Sequence, residues 1–267
     1  MSERSDPSEQ THGRRTSSSV FPSSDAVARF EAAAGGGRTE AVDQQELPDR
    51  LCRAVVEVLD VEAAAISVCL GPDLAVPIGA SDLDATTAEA LQFTYREGPC
   101  LQVYTHRKPV LIPDLTSPTS PAWSRWPTYT ADLRRRTDYH GVFVYPLLAK
   151  GVALGALSLY RRTPGAPAAP GVIAPIAARI ADRLSTDLLT DTTAGEPFPP
   201  WLNSMTSHRR HQVWIAQGKI VQANRLTPGQ AIDLLRAQAF TADRLLDDIA
   251  DDIATGRLPV PVLHTDQ

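Results

Sequence analysis

The stretch VFVYPLLAKGVALGALSLY, residues 142–160, decides the fold of this chain. Two apolar runs, 142–148 and 152–160, flank the dipeptide Lys150-Gly151. This arrangement predicts a β-hairpin, because two apolar runs separated by a short turn can pair with each other in antiparallel fashion. The chain on either side of the hairpin indicates what the hairpin packs with.

Further strands and helices are predicted around this hairpin. Short apolar runs predict strands at 63–70, 75–79 and 110–112. Helical spacing predicts four helices. The first begins near Pro48, the second spans 84–93, and the third begins at Gly98-Pro99. The fourth is long and has one apolar face, formed by Ile173, Ile176, Ile180, Leu184 and Leu188. The order helix, strands, short helices, strands, helix indicates an α+β domain, an antiparallel sheet flanked by helices, over residues 43–190.

The segment 116–139 shows little periodicity and is predicted to be a long loop, or a loop with a short helix. It is rich in aromatic and basic residues, and loops of this length often carry function. Its candidate ligand-binding residues, which would cover a pocket for an anionic ligand, are Trp123, Trp126, Tyr129 and Arg135. The alternative is that the rings close the core and the arginines face solvent.

Composition limits the classes of protein that remain. The chain has 267 residues, enough for about two domains, and 43% of them are hydrophobic. A net charge of -5 excludes a protein that is basic as a whole, so any nucleic-acid surface must be local. Three widely spaced cysteines fit neither a disulfide framework nor a zinc site, which predicts a reducing compartment. Lacking a signal sequence and an apolar run of about 18 residues, the chain is expected to be cytoplasmic, with no membrane partner.

Two segments have the composition of linkers. Residues 1–42 are rich in Ser, Gly, Arg and Asp and are predicted to be disordered, with one short helix near 26–34. Residues 191–203 are rich in proline and are predicted to link two domains.

The C-terminal part, residues 204–262, is predicted to be a small all-α bundle of three helices. The first runs from Trp201 to Asn224, with Ile215 and Val221 among its apolar residues. Thr227-Pro228-Gly229-Gln230 predicts a capping box that starts the second helix. The third helix is expected to start at Thr241-Ala242-Asp243 and to end at Gly256.

These C-terminal residues resemble the ANTAR family of RNA-binding modules that control transcription antitermination in bacteria. The match covers nearly all of residues 207–257. It is carried by small and apolar positions across all three helices: Val213, Ala216, Gly218, Thr227, Ala231, Leu235-Arg236, Ala239, Leu246 and Ala250.

The preceding domain resembles GAF sensor domains. The resemblance lies in Glu97-Gly98-Pro99-Cys100 before a helix, in Pro109-Val110-Leu111, and in the late strand Gly155 to Leu159. Together the two parts resemble the GAF–ANTAR regulators of actinobacteria. That resemblance implies a domain that senses a small molecule or a protein, and a dimeric output that binds hairpin loops in nascent transcripts. It identifies no cofactor.

Local charge is compatible with RNA binding. Residues 201–225 contain no Asp or Glu, and basic residues on such a helix can meet phosphates. With the resemblance, the candidate RNA-binding residues are Arg209, Arg210, Trp214, Lys219, Asn224, Arg225 and Arg236. The alternatives are that the basic residues form an ordinary solvated face and that Trp214 belongs to the core.

The third helix is strongly acidic, with Asp243, Asp247, Asp248, Asp251 and Asp252. Over residues 201–257 the net charge is only +1, from seven Lys or Arg and six Asp. Water is expected to solvate these carboxylates, with a cation or a partner helix as alternatives. The acidic helix is expected to face away from RNA.

No catalytic or metal-binding motif is recognised, and the chain is not expected to be an enzyme. Cys100 lies near a helix N-terminus, where its pKa could fall, but a Cys after Gly-Pro is expected to be a small buried residue. A second class of function remains open. In that class the GAF-like domain is a ligand-free dimerisation platform, and the helical module binds DNA or a protein.

Overall fold

The computed structural model describes residues 23–35, 46–69, 75–167, 170–190, 201 and 205–262. Most of the segment predicted to be disordered, and the predicted linker except Trp201, lie outside these residues. No helix in the described parts of the chain is both long and apolar enough to cross a membrane.

The core of the fold is a five-stranded antiparallel sheet with strand order β2-β1-β5-β4-β3. Its strands are β1 (Ala63–Cys69), β2 (Ala75–Ala80), β3 (Val110–Ile112), β4 (Gly141–Ala149) and β5 (Val152–Arg161). The β4–β5 hairpin confirms the prediction from residues 142–160. Its turn residues Lys150 and Gly151 both have positive φ, 48° and 80°, as a two-residue hairpin turn of type I′ requires.

Ten helices are described along the chain, and their bounds follow in chain order. They are α1 (Ser23–Ala33), α2 (Leu47–Val58), α3 (Leu83–Tyr95), α4 (Pro99–His106), α5 (Ala122–Arg125), α6 (Pro127–Arg136), α7 (Pro170–Thr190), α8 (Met205–Asn224), α9 (Pro228–Thr241) and α10 (Leu246–Thr255). We call α1–α7 with the sheet the sheet domain, and α8–α10 the C-terminal bundle.

Helices cover both faces of the sheet. On one face α1, α2 and α7 bury a core that includes Leu51, Ile66, Phe143 and Ile176. Phe30 of α1 is fully buried in that core. The predicted short helix near 26–34 is confirmed as α1, which is held to the sheet domain because Phe30 gains apolar contact that its own segment cannot supply.

Helices α3 to α6 cover the other face. The segment 116–139, predicted to be a long loop or a loop with a short helix, contains two helices, α5 and α6. Pro127 occupies the first turn of α6, and the Glu97 carboxylate accepts hydrogen bonds from the backbone N–H groups of Thr128 (2.9 Å) and Tyr129 (3.1 Å). The helix is therefore capped by a side chain about thirty residues earlier in the chain.

The C-terminal bundle has its own apolar core. Ala231, Leu235, Leu246 and Ile253 are buried in it. The predicted capping box is confirmed, since Thr227 Oγ1 accepts from the Gln230 N–H and Gln230 Oε1 accepts from the Thr227 N–H. Gly256, with φ of 80°, ends α10 as predicted.

One prediction about the bundle is wrong. The third helix starts at Leu246 rather than at Thr241, because α9 continues to Thr241 and the chain then turns through Asp243, where φ is 50°. Of the apolar residues of α8, Ile215 is exposed, whereas Val213, Ala216 and Ile220 form the buried face of the helix.

The bundle packs against α3 of the sheet domain. Phe93, near the end of α3, belongs to the apolar core of the bundle. Thr94 Oγ1 accepts a hydrogen bond of 3.1 Å from the Leu246 N–H, at the start of α10. The same helix therefore borders the sheet core on one side and the bundle on the other.

Candidate functional site

A buried carboxylate lies between α3 and the sheet. Glu89 of α3 is 1% exposed. Its oxygens accept hydrogen bonds from Ser67 Oγ of β1 (2.6 Å), Tyr160 Oη of β5 (2.6 Å) and Gln92 Nε2 (3.1 Å). Three neutral donors therefore compensate the loss of water around this carboxylate. We call Ser67, Glu89, Gln92, Cys100, Ser158 and Tyr160 the Glu89 cluster.

Cys100, at the start of α4, belongs to this cluster. Its Sγ lies 3.3 Å from Ser158 Oγ and 3.6 Å from Glu89 Oε2. Burial raises the pKa of the Cys100 thiol well above its usual range, and the charge of Glu89 raises that pKa further. The cysteine is therefore a protonated thiol at neutral pH. The expectation that Cys100 is a small buried residue is confirmed.

Tyrosine side chains border the cluster. Tyr160 stacks on Tyr139 with ring centroids 4.7 Å apart, and Tyr139 Oη donates to Asp82 Oδ1 at 3.2 Å. Burial raises the pKa of Tyr160 well above its usual range, with a further contribution from Glu89. Each phenol therefore donates a hydrogen bond to a carboxylate, Tyr160 to Glu89 and Tyr139 to Asp82.

The space beside the cluster is small. A cavity of about 10 Å³, lined by Gln92, Gly98 and Cys100 among others, adjoins it, which is room for about one water. Gly98 has φ of 136°, and a Cβ there would lie 2.3 Å from Gln92 Oε1. The cluster is therefore closed in this conformation, and a larger ligand requires α3 or α4 to move.

The four predicted ligand-binding residues differ in their burial and in their partners. Trp126 and Tyr129 are buried in the core beside the sheet, and Trp123 is half-buried on α5. Arg135 forms ion pairs with Asp132 and Asp243. Burial of Trp126 and Tyr129 fits the alternative that the rings close the core, whereas Trp123 is only half-buried and Arg135 binds carboxylates while half exposed.

Arg210 is buried and is not available to RNA in this conformation. Its side chain is 4% exposed, Nη1 lies 3.1 Å from Asp247 Oδ1, and its guanidinium carbon lies 3.8 Å from the centroid of the Phe93 ring. Asp247 compensates part of the cost of burying the guanidinium. This RNA-binding prediction is therefore corrected to a structural role.

Lys219, Asn224 and Arg236 also bind other parts of the chain. Lys219 Nζ donates to the carbonyls of Ile253 (3.2 Å) and Ala254 (2.8 Å), at the C-terminal end of α10, where a cation is favoured. Asn224 Nδ2 donates to the Pro261 carbonyl at 2.7 Å. Arg236 Nη1 donates to Asp233 at 3.0 Å and is 15% exposed.

Three predicted RNA-binding residues remain at the surface. Trp214 is 44% exposed, so the alternative that it belongs to the core is wrong. Arg225 is exposed just beyond α8, with φ of 54°. Arg209 is 45% exposed but pairs with Asp248 at 2.6 Å.

The acidic residues of the bundle have arginine partners. Asp248 pairs with Arg209 and Asp247 with Arg210, across α8 and α10. Asp243 pairs with Arg135 and Arg136 of the sheet domain, and Asp251 and Asp252 pair with Arg257. The expectation that water alone solvates these carboxylates is wrong, because α10 packs its acidic side against basic residues.

Sequence reasoning missed Glu89 and Gln92. Both lie in the predicted helix over 84–93, at i+4 and i+7 from the buried Ala85. Polar residues on an apolar helix face were the available signal. Their partners Ser67 and Tyr160 come from distant strands, which local patterns do not bring together.

Comparisons with known proteins concern the sheet domain. The GAF domain of a phosphoenolpyruvate-protein phosphotransferase from Coxiella burnetii is 16% identical, with a TM-score of 0.47, over 62% of this chain and 94% of that one. The corresponding Acinetobacter domain is 12% identical, with a TM-score of 0.44, over 62% and 94%. Free methionine-R-sulfoxide reductase from Neisseria meningitidis is 14% identical, with a TM-score of 0.39, over 60% and 86%.

No curated protein matches the chain. A family model described as the GAF domain matches residues 41–183, which is more than half of the sequence and includes the whole sheet and the Glu89 cluster. The chain therefore belongs to the GAF domain family.

Proposed function

We propose that this protein is a signal-controlled regulator in which the GAF domain, residues 43–190, governs an ANTAR-like RNA-binding bundle, residues 204–262. GAF domains are typical of sensory and regulatory proteins. The bundle binds hairpin loops in nascent transcripts and acts as an antiterminator, and the protein acts as a homodimer. The signal is a small molecule that reaches the Glu89 cluster.

The observation that carries the RNA-binding proposal is an exposed strip along α8. Trp214, Gly218, Gln222 and Arg225 are exposed and fall on one side of the helix by their spacing. We call them the α8 strip. The exposed indole of Trp214 can stack on an unpaired base, and Arg225 can bind a phosphate. The segment 201–225 contains no acidic residue that would repel the phosphates.

Helix α3 supports control of the bundle by the GAF domain. Glu89 and Gln92 of α3 belong to the Glu89 cluster, while Phe93 and Thr94 contact the bundle. A ligand at the cluster must displace α3 or α4, because the adjoining cavity holds about one water. Movement of α3 then alters the contacts that hold α10. Among the described residues Glu89 is hydrogen-bonded by neutral donors and has no ion pair, which favours a signal that carries hydrogen-bond donors or a positive charge.

The test is binding of the full chain to a two-hairpin RNA with unpaired loops, against a loop-scrambled RNA and duplex DNA, at two salt concentrations. Trp214→Ala and Arg225→Gln are expected to weaken loop-selective binding by about tenfold each. Lys108→Gln, an exposed residue between α4 and β3, is the matched control. Preference for duplex DNA, or no binding to any nucleic acid, would favour the second candidate function, a ligand-free dimerisation platform with a DNA- or protein-binding module.

A further inference from the structure

A cleft lies where the GAF domain meets the bundle. It has a volume of about 260 Å³ and is formed by the end of α3, the middle of α8 and the first half of α9. Its lining residues are Phe93, Arg96, Trp214, Gln217, Gly229, Ile232, Asp233 and Arg236. We call it the Trp214 cleft. None of the functional roles assigned above accounts for this combination of side chains.

The charge of the cleft suits an anion. Arg96 and Arg236 both line it, whereas Asp233 is its single acidic residue. Burial lowers the pKa of Arg236, and the charge of Arg96 lowers it further while Asp233 opposes both effects. The Nε of Arg236 is buried and has no hydrogen-bond acceptor among the described residues. A phosphate between the two guanidinium groups would relieve their repulsion and supply an acceptor for the Nε of Arg236.

The remaining lining suits a nucleobase. Trp214 offers an exposed indole on which a base can stack. Gln217 and Asp233 carry oxygens of the kind that accept hydrogen bonds from exocyclic amino groups. The volume of the cleft, about 260 Å³, is close to the lower end of the usual range of ligand-pocket volumes. The cleft therefore has room for one nucleotide and not for an oligomer.

We propose that the Trp214 cleft binds a single nucleoside monophosphate, with its base on Trp214 and its phosphate between Arg96 and Arg236. The nucleotide is supplied either free or as an unpaired residue of an RNA loop, and only the second source rests on the function proposed above. The cleft shares Arg96 and Arg236 with the small cavity that reaches Gln92 and Cys100. Occupancy of the cleft therefore bears directly on the end of α3.

The test uses the full chain in calorimetric titrations with AMP, CMP, UMP, adenosine and inorganic phosphate. We expect AMP and CMP to bind more tightly than UMP, and adenosine or phosphate alone to bind at least about tenfold more weakly than AMP. Arg96→Gln and Trp214→Ala should weaken AMP binding by about tenfold or more. Both residues are exposed, so folding should persist, which thermal melting checks. Arg257→Gln, an exposed arginine outside the cleft, is the matched control and should bind AMP normally.

A second arm separates the two sources. The same variants are titrated with the two-hairpin RNA and with a version whose loop carries abasic positions. If AMP does not bind but the RNA binds, and Arg96→Gln and the abasic loop weaken it, the nucleotide comes from RNA. If the RNA binds and Arg96→Gln alters the affinity for neither AMP nor the RNA, the cleft proposal fails while the RNA-binding proposal stands. If AMP binding depends on Arg96 and no RNA binds, the cleft proposal stands and the RNA-binding proposal fails. If the chain binds neither AMP nor the RNA, both proposals fail.

Discussion

Arg210 and Asp247 form an ion pair between α8 and α10, with Nη1 and Oδ1 3.1 Å apart and side chains only 4% and 2% exposed. The guanidinium carbon of Arg210 lies over the ring of Phe93 of the GAF domain, 3.8 Å from the ring centroid. Burial raises the pKa of Asp247, although the charge of Arg210 opposes that rise. The pair therefore joins two helices of the bundle at the point where the bundle meets α3.

Removal of one member of this pair should be costly. Arg210→Ala leaves the Asp247 carboxylate buried without its cation, and we expect a loss of about 3–5 kcal/mol in the free energy of unfolding. Urea denaturation followed by circular dichroism measures this loss. The double variant Arg210→Met/Asp247→Leu should recover most of the loss, because it removes both charges and keeps apolar volume.

Arg209 provides the matched control for this experiment. It is the neighbouring residue and pairs with Asp248, but its side chain is 45% exposed. Arg209→Ala should therefore change the free energy of unfolding by less than about 1 kcal/mol. Equal losses for the two variants would show that Arg210 is not buried as described.

Asp243 should hold the bundle against α6 in a pH-dependent way. Its carboxylate accepts hydrogen bonds from Arg135 Nη1 and Arg136 Nη2, each at 2.7 Å. The hydrogen bonds from Arg135 hold the pKa of Asp243 below its usual range. A carboxyl group whose pKa is lower in the folded state stabilises that state at pH values above its ordinary pKa of about 3.9. The folded state loses this contribution as the pH falls through the lower native pKa.

We therefore expect Asp243→Asn to speed hydrogen exchange at the Leu246 amide, which donates to Thr94 Oγ1 where α10 meets α3. The difference from the unmodified chain should be clear at pH 6 and should disappear in acid, where the carboxylate is protonated in both states. Asp251→Asn, which affects only a pair with Arg257 on the outer side of α10, should leave this amide unchanged. An unchanged exchange rate in Asp243→Asn would rule out a docking role.

A charge in the bundle core should unfold the bundle. Ala231 and Leu235 are fully buried on α9, so Ala231→Asp or Leu235→Asp should cost about 3 kcal/mol or more and abolish cooperative melting of the bundle. Ile215→Asp is the control: Ile215 is 48% exposed, and its substitution should change stability by no more than about 0.5 kcal/mol. Retained cooperative melting in Leu235→Asp would mean that α9 presents a different face to the core.

The elements that sequence reasoning found are those that local chemistry specifies. The β4–β5 hairpin has its turn residues between two apolar runs, and α9 has its capping box within four residues. The failures have remote causes. Helix α6 is capped by Glu97 from the end of α3, and α1 is held by the apolar contacts of Phe30. Neither interaction leaves a local pattern.

The candidate site was harder to predict for the same reason. Counting charges treated Arg210 and Lys219 as available to RNA, but a partner on α10 engages each of them. The Glu89 cluster joins α3, β1 and β5. Its residues are far apart in the sequence, and only the folded sheet brings Ser67 and Tyr160 into contact with Glu89. Trp214, Arg225 and Arg209 kept the surface position expected of them, although Arg209 pairs with Asp248.

The Glu89 cluster makes a prediction about thiol chemistry. Cys52, Cys69 and Cys100 are all buried and free. Burial and the charge of Glu89 together raise the pKa of Cys69 to about 12, and the same two causes raise that of Cys100 well above its usual range. The thiolate is the reactive species, so a maleimide should modify none of the three rapidly at neutral pH, and all three in urea.

Glu89→Gln should make Cys100 selectively more reactive. The amide keeps one acceptor oxygen, which serves either Tyr160, the donor to Oε1, or Ser67, the donor to Oε2. The substitution removes the negative charge 3.6 Å from the Cys100 sulfur, so the pKa of Cys100 falls and more thiolate forms at any given pH. Cys52, on the opposite face of the sheet, is the internal control, because burial and Asp49 raise its pKa more than Glu89 does. Site-resolved mass spectrometry from pH 7 to 10 should show the modification of Cys100 shifting to lower pH relative to Cys52. Parallel shifts at both cysteines would indicate general loosening of the fold instead of loss of the Glu89 charge.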